Sequence, residues 1–287
     1  MVSPSLTRTW HKDTYAAINP SKRAELSLRG KTVVITGGGS GIGKGLTRAF
    51  ADAGASRIAI LGRREDVLRA TKQEIEAQNE EVAISIHVAD VADLTSIERT
   101  ASLVGEWDVL VSNAGYLPEI KPLVDSDPVD WWKGFEVNVK GPFNLIHAFL
   151  PKRRPQATLI GVSAGSIQVG AMSANWSSYN SSKFAGIKML ESVAAEVPDV
   201  HVVSMHPGVI ESDMSAKAMP GKANAPQMDT LELPSHFAVW LCSQEAKFLR
   251  GRFVWCNWDV QELQAKKADI EGSLLLTANC IGWPYSP

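Results

Sequence analysis

Short apolar runs and amphipathic segments alternate along most of this chain. The β-branched runs predict strands, and apolar positions that recur every three to four residues predict helices between them. Strands are predicted at Thr32–Thr36, Arg57–Gly62, Val82–Ala89, Asp108–Ser112, Thr158–Ser163, His201–His206 and Phe253–Cys256. Helices are predicted at Ile42–Ala53, Glu65–Gln78, Leu94–Val104, Val129–Leu150, Ser178–Glu196 and Thr230–Ser243. The alternation predicts an α/β fold with a parallel sheet and helices on both faces.

Two ends of the chain and one internal segment fall outside this alternation. Residues 1–27 predict an amino-terminal extension that wraps a main domain over residues 28–257. The tail, residues 258–287, is too apolar to be disordered throughout, so we expect it to pack on the domain or on a neighbouring subunit. The segment Glu211–Met228 is polar and rich in Ala, Pro, Gly and Met, which predicts a mobile substrate loop or a plain connection.

Composition narrows the class of protein. The 287 residues are 45% hydrophobic, which suffices for the core of one α/β domain. A net charge of −2 with mixed signs argues against nucleic-acid binding. Cys242, Cys256 and Cys280 lack Cys-x-x-Cys spacing, so we predict neither a disulfide framework nor a metal site. No run of residues is apolar enough for a signal peptide or a membrane span, which predicts a soluble cytoplasmic protein.

A glycine-rich segment joins the first predicted strand to the first predicted helix. Glycines let the backbone approach a phosphate closely, and a helix start offers free N–H groups and a positive dipole end. An ordinary β–α turn is the alternative, but such a turn needs no comparable density of glycine. The segment therefore predicts a pyrophosphate site. The residues that form it are Gly37, Gly39, Ser40, Gly41, Ile42 and Gly43.

Tyr179 and Lys183 stand four residues apart in a helical pattern, so they share one helix face. A free phenol has a pKa of about 10 and is a poor base near neutral pH. A nearby ammonium group stabilises the phenolate, as does the positive ring of an oxidised nicotinamide, so we expect the Tyr179 pKa to be lowered. A half-exposed helix with a solvated lysine is the alternative. The glycine segment upstream favours proton transfer to a carbonyl or from an alcohol.

The spacing of Gly37, Gly41 and Gly43, with Tyr179 and Lys183 downstream, resembles the short-chain dehydrogenase/reductase family over roughly residues 28–257. Matching segments follow in the family's order at Asp90-Val91, Ser112-Asn113-Ala114-Gly115, Asn138-Val139-Lys140-Gly141 and Pro207-Gly208-Val209-Ile210-Glu211-Ser212. The whole pattern is similar to filamentous-fungal members. The resemblance implies a Rossmann-type doubly wound parallel sheet of about seven strands and an NAD(P)-binding catalytic domain.

The resemblance also implies where a dinucleotide is held. The adenosine half is assigned to Asp90, Val91, Asn113, Ala114 and Gly115, and the nicotinamide half to Tyr179, Lys183, Pro207, Gly208, Ile210 and Ser212. Gly62 stands where an acid would bind the ribose 2′-hydroxyl of NAD. Arg63, followed by Arg64, can pair with a 2′-phosphate, although a solvent-exposed arginine at a helix start is the alternative. We therefore predict NADP, with NADPH preferred over NADH.

The family holds the substrate oxygen with a serine near the end of the fifth strand, and this chain offers two candidates. Ser163 stands at the strand end, whereas Ser166 has the family's sequence distance to Tyr179. The usual second serine aligns with Ala164. We favour Ser163 and keep both. Asn138 resembles the fourth member of the family's catalytic set, which fixes helix geometry and a water that relays protons through the lysine.

These features predict an NADP(H)-dependent oxidoreductase that reversibly reduces a small-molecule ketone or oxidises an alcohol, in secondary metabolism by analogy with fungal members. The irregular Ser163–Ser166 stretch leaves open a non-redox cyclase or isomerase, or a dinucleotide-binding regulator. The resemblance further implies a homodimer or homotetramer formed through Val129–Leu150 and Ser178–Glu196. We predict no nucleic-acid or membrane partner.

Overall fold

The computed structural model describes residues 5–170, 174–219 and 227–279. Within these ranges, seven strands form one parallel sheet in the order β3-β2-β1-β4-β5-β6-β7. The strands are β1 Thr32–Thr36, β2 Arg57–Gly62, β3 Ala83–Val88, β4 Trp107–Ser112, β5 Arg153–Val162, β6 His201–His206 and β7 Phe253–Trp255. The strand order reverses between β1 and β4, so the carboxyl ends of these two strands open a crevice where α/β proteins bind ligands. The predicted Rossmann-type sheet is confirmed.

Helices cover both faces of the sheet. The α-helices are α1 Gly41–Asp52, α2 Glu65–Glu76, α3 Leu94–Val104, α4 Pro128–Phe135, α5 Gly141–Phe149, α6 Ser177–Glu196, α7 Asp213–Ala218, α8 Glu232–Leu241, α9 Val260–Ala265 and α10 Lys267–Glu271. Successive residues of β1 explain the two-sided burial. Val33 packs in one apolar cluster with Leu46 of α1, and Val34 packs in the other with Ile97 of α3. Strands buried on both faces read as continuous apolar runs, which is how β1 appears in the sequence.

Three predicted elements differ from the structure. β5 begins at Arg153 rather than Thr158, because its pairing with β4 shifts register after Trp107 and extends the strand across polar residues. The single helix predicted over 129–150 is α4 and α5 joined by a π-helical segment, Glu136–Lys140. The segment predicted as a loop over 211–228 contains α7, whereas its residues 220–226 lie outside the described part of the chain.

Described residues of the amino-terminal extension and of the tail pack on the domain. Ile18 of the extension is completely buried in the core. In the tail as far as residue 279, Val260, Leu263 and Ile270 are buried in the same cluster. Whether the tail also contacts a neighbouring subunit stays a prediction. Cys280 lies outside the described residues.

Candidate active site

The predicted glycine segment forms a tight turn between β1 and α1. Gly37 and Gly41 adopt positive φ angles of +67° and +49°, where a side chain is strained. A Cβ at Gly43 would lie 2.0 Å from the carbonyl oxygen of Gly37, so the turn admits no larger residue there. α1 begins at Gly41, and in the described residues no side chain caps its first amides by hydrogen bonding. The turn can therefore receive a phosphate.

One large cleft at the carboxyl edge of the sheet collects most of the predicted site. Its lining includes Gly37, Gly39, Ser40, Gly41, Ile42, Gly43, Arg63, Arg64, Asp90, Val91, Asn113, Ala114, Gly115, Ser163, Tyr179, Lys183, Pro207 and Ser212. These residues come from the segments that follow six of the strands and from the first turns of α1 and α6. Adjacent parallel strands bring them together, as the crevice between β1 and β4 predicts.

Four predicted residues lie outside this lining. Asn138 borders a small separate cavity behind Lys183. Gly208 is turned against the Asp229 carboxylate, and Ile210 is buried. The Ser166 hydroxyl donates to Asn180 Oδ1 at 2.7 Å. These residues can shape the cleft through their neighbours rather than by direct contact.

Two hydrogen-bonded strand ends form the floor of the cleft. The amides of Asn113 and Ala114 both donate to Thr36 Oγ1 at 3.0 Å. The Asn113 side chain donates from Nδ2 to the Thr36 carbonyl at 2.8 Å. On the wall beside them, Asp90 Oδ1 accepts the amide of Ala92 at 2.9 Å. The side chain of Asn113 therefore fixes the crevice as well as lining it.

Two exposed arginines border the cleft just after β2. Gly62 is the last residue of β2, and Arg63 and Arg64 follow it directly. The Arg64 guanidinium donates to Ser40 Oγ in the glycine turn at 3.4 Å. The corner beside the turn therefore carries positive charge, which suits an anionic group such as a ribose 2′-phosphate.

Tyr179 and Lys183 lie in the first two turns of α6 and both line the cleft. Lys183 Nζ donates to the Val162 carbonyl at 3.1 Å and lies 5.8 Å from the centroid of the Tyr179 ring. The Tyr179 hydroxyl contacts Met214 Sδ at 3.8 Å. Loss of hydration raises the pKa of Tyr179 to about 12 and lowers the pKa of Lys183 to about 8. The expected lowering of the Tyr179 pKa is wrong for the protein's own groups, because burial disfavours the charged phenolate.

Asn138 lies in the π-helical segment and is buried. Its Oδ1 accepts the Tyr116 amide at 2.8 Å, and its Nδ2 donates to the Tyr116 carbonyl at 2.8 Å and to Ser182 Oγ at 3.0 Å. The side chain thereby ties the segment after β4 to α6, one residue before Lys183. This geometry supports the positional part of the role that the family resemblance implies.

The two candidate serines occupy different places. Ser163 directly follows β5, lines the cleft, and donates from Oγ to the Lys183 carbonyl at 3.3 Å. The Ser166 hydroxyl is already hydrogen-bonded to Asn180. Ala164, which aligns with the family's usual second serine, is buried. Ser163 lines the same cleft as Tyr179 and Lys183, whereas Ser166 is not among the residues that line it.

Met214 of α7 is a cleft residue that the sequence did not predict. α7 starts with a capping box in which Ser212 and Ser215 exchange hydrogen bonds. The usual capping box has Glu or Gln at the third helical position, and the serine found here hides that signal. The polar composition of the following residues further favoured a loop over a helix.

The described residues contain no group of three or more His, Cys, Asp or Glu side chains arranged to hold a metal ion. Across residues 5–170, 174–219 and 227–279, the structure has no helix with the length and apolarity needed to cross a bilayer.

Similarity to known proteins shows which family this chain belongs to. The model of the short chain dehydrogenase family matches residues 31–223. This chain belongs to the short-chain dehydrogenase/reductase family. Within the family, the short chain dehydrogenase/reductase AacuD of Aspergillus aculeatus is 34% identical over 268 residues, covering 92% of each chain. A short chain dehydrogenase/reductase of Claviceps purpurea is 37% identical over 272 residues, covering 92% of this chain and 90% of the relative.

A solved structure agrees with these relatives. A short chain dehydrogenase of Shigella flexneri, complexed with NADP, superposes with a TM-score of 0.73 at 25% identity. The match covers 82% of this chain and 99% of the bacterial one. The predicted resemblance to the family, including its filamentous-fungal members, is confirmed.

Proposed function

We propose that this short-chain dehydrogenase/reductase interconverts a ketone and an alcohol with NADP(H), using Tyr179 as the acid and base. One observation carries the proposal: Tyr179 and Lys183 line the same cleft as the glycine turn. A hydride donor and a proton donor can thus meet at one substrate carbon–oxygen double bond. The bound cofactor would supply the hydride, and the residues of the chain position the substrate and move the proton.

The state of Tyr179 favours reduction. With a pKa raised to about 12, its hydroxyl keeps its proton near neutral pH and can donate it to a carbonyl oxygen. Lys183, held by the Val162 carbonyl, places a positive charge beside the phenol that forms a phenolate after donation. In oxidation the same phenolate would accept the alcohol proton, which makes the reaction reversible.

The preference for NADPH is supported by the corner after β2. Arg63 and Arg64 supply guanidinium groups there, and Gly62 supplies no carboxylate that would repel a 2′-phosphate. The Shigella flexneri relative was solved with NADP. Ser40 of the glycine turn, which accepts a hydrogen bond from Arg64, keeps that guanidinium close to the turn.

The direct test is an NADPH-oxidation assay with a panel of aliphatic, cyclic and aromatic ketones, in which secondary alcohol formation is measured alongside absorbance. We expect at least one ketone to be reduced with NADPH much faster than with NADH. The reverse reaction, the alcohol with NADP, checks reversibility. Tight NADPH binding without reduction of any ketone would contradict the proposed activity.

A specific observation supports a second candidate, a non-redox cyclase or isomerase. The hydroxyls of Ser163 and Ser166 both donate to acceptors of the protein itself. A substrate oxygen would have to displace the Lys183 carbonyl to receive the Ser163 hydroxyl. Product formation without consumption of NADPH, in the same panel, would favour this candidate. A regulator that only senses a dinucleotide would bind NADPH and convert no substrate.

The assembly and setting of the protein extend this proposal. Exposed apolar side chains on α4, α5 and α6, namely Val129, Trp132, Phe143 and Phe184, support a homodimer or homotetramer through these helices. Light scattering at micromolar concentration would contradict this if the mass stayed near the 31.1 kDa of one chain. The fungal relatives support a setting in secondary metabolism. The cytoplasmic location and the division at residues 27 and 257 stay predictions.

A further inference from the structure

The first described residues form a band across the domain that we call the amino-terminal strap, residues 5–27. Its start is fixed to α9, because Glu262 accepts the amides of Arg8 and Thr9 at 2.6 and 3.0 Å. His11 and Asn257 then exchange hydrogen bonds: the His11 amide donates to the Asn257 carbonyl at 2.8 Å, and Asn257 Nδ2 donates to the His11 carbonyl at 2.9 Å. The strap is therefore anchored beside the end of β7, close to the cleft.

One contact of the strap leads to the loop after β5. The Trp10 ring meets the Trp255 ring edge-on at a centroid distance of 5.7 Å. Trp255 Nε1 in turn donates to Gln168 Oε1 at 2.7 Å. A Cβ on Gly165 would lie 2.5 Å from the Trp255 ring, so the turn Gly165–Gln168 rests directly on that ring.

The same turn is held from its other side. The Gly165 amide donates to His206 Nδ1 at 2.9 Å, and His206 packs edge-on against Trp255 at 4.4 Å. Ser166 of the turn donates to Asn180, the neighbour of Tyr179. The turn thus lies between Trp255 and the start of α6, two residues beyond Ser163. A shift of the Trp255 ring would reach the wall of the cleft through this turn.

A second contact of the strap leads to the segment after β6. The Thr230 amide donates to the Lys12 carbonyl at 2.9 Å, and the Thr230 hydroxyl donates to Asp13 Oδ1 at 2.6 Å. Asp229, the preceding residue, and Val209 exchange two hydrogen bonds of 2.8 Å, from each amide to the other residue. Pro207, two residues before Val209, lines the cleft.

We propose that the amino-terminal strap positions the substrate side of the cleft, with Trp10 and Asp13 as positioning residues for the loops after β5 and β6. Neither residue belongs to the stretch matched by the family model, which begins at residue 31. Trp10 acts through Trp255 on the turn Gly165–Gln168, and Asp13 acts through Thr230 and Asp229 on Val209. The inference rests on the proposed function only for its kinetic consequence.

Hydrogen exchange of the full-length chain tests the contacts without a substrate. Trp10→Ala should speed amide exchange in residues 163–170 roughly two- to tenfold, the range expected when one aromatic pair is lost. Trp10→Phe keeps a ring and should restore most of the protection. Asp13→Ala should speed exchange in residues 207–212 and leave residues 163–170 unchanged. Arg23→Ala is the matched control, because Arg23 is a strap residue that pairs with Glu245, and it should leave both segments unchanged.

Kinetics on a ketone that the protein reduces completes the test. Both positioning variants should raise KM for the ketone severalfold while the Kd for NADPH stays unchanged. Unchanged exchange in residues 163–170 of Trp10→Ala would overturn the inference. So would an equal increase in β1, since that would mean that the strap only stabilises the whole domain. If Trp10→Ala does not fold, Asp13→Ala decides, and unchanged exchange in residues 207–212 of that variant would overturn the inference. Altered exchange in a protein that reduces no ketone would uphold the strap contacts and contradict the proposed function.

Discussion

The dinucleotide half of the cleft is built from residues close together in the chain and from adjacent strand ends, whereas the substrate half is built from segments far apart. In the first half, the glycine turn and the Asn113–Thr36 hydrogen bonds fix the backbone. In the second, the turn after β5 rests on Trp255 and on the strap. A local turn and the pairing of adjacent strands therefore set the cofactor half, while packing of segments outside the sheet sets the substrate half. Variants in each half should separate cofactor affinity from turnover.

The largest expected effect is at Tyr179, where the two halves meet. Tyr179→Phe removes only the proton-donating hydroxyl, so we expect turnover to fall by about 10²–10⁴-fold. Affinity for NADPH should stay nearly unchanged, as measured by fluorescence titration. Retained turnover would mean that another group transfers the proton, and it would favour the isomerase candidate.

Arg63→Ala should weaken cofactor binding and leave the substrate half of the cleft unaffected. Loss of a charged hydrogen bond to a 2′-phosphate, worth about 1.5–3 kcal/mol, should weaken NADPH binding by roughly 10- to 100-fold and leave NADH binding unchanged. Arg69→Ala is the control, since Arg69 lies on α2 in an exposed pair with Glu65. Equal losses of affinity for NADPH and NADH would show that Arg63 does not bind the 2′-phosphate.

The third prediction concerns His201, the first residue of β6, at the edge of the sheet opposite the cleft. There we expect the free energy of unfolding to depend on pH rather than on a bound ligand. Burial lowers the pKa of His201 to about 3, and neither ring nitrogen finds a hydrogen-bond partner among the described residues. The unfolded chain, with a histidine pKa of about 6.5, binds the proton first, so stability is present above pH 6.5 and is lost as pH falls towards 3. Protonation of His201 in the unfolded chain should therefore lower the free energy of unfolding by about 2 kcal/mol as the pH falls from 7 to 5.

Urea unfolding at these two pH values measures the effect. His201→Leu should reduce the dependence on pH, whereas His147→Gln, a change at an exposed position of α5, should not. An unaltered pH dependence in His201→Leu would assign the loss of stability to other groups.

The smallest effect should separate the two serines. Ser163→Ala removes a hydroxyl at the cleft and should lower kcat/KM for a ketone roughly tenfold, in keeping with one neutral hydrogen bond. Ser166→Ala should change it little, because that hydroxyl donates to Asn180 and is not part of the cleft lining. The reverse order would show that the turn after β5 moves when substrate binds.

The difference between the halves also explains what the sequence could predict. The glycine turn, Arg63 and the Tyr179–Lys183 pair are local patterns whose spacing matches the geometry observed. Met214 and the strap contacts have no such pattern, because they depend on which distant segments pack together. The pKa of Tyr179 was missed for a related reason: desolvation depends on the surrounding fold, and the spacing to Lys183 carries no information about it.

The π-helical segment before α5 limits which insertions and deletions this chain can accept. A π turn holds one residue more than an α turn, so removing any one of residues 136–140 would restore a regular helix. Because the wide turn already absorbs the extra residue, α4 and α5 would keep nearly the same relative rotation after such a deletion. The residues of the wide turn would be repositioned, and Asn138 is one of them, with its hydrogen bonds to Tyr116 and Ser182. A single-residue deletion at this place would thus disturb the hydrogen bonds of Asn138 while Trp132 and Phe143 keep their relation on the exposed face.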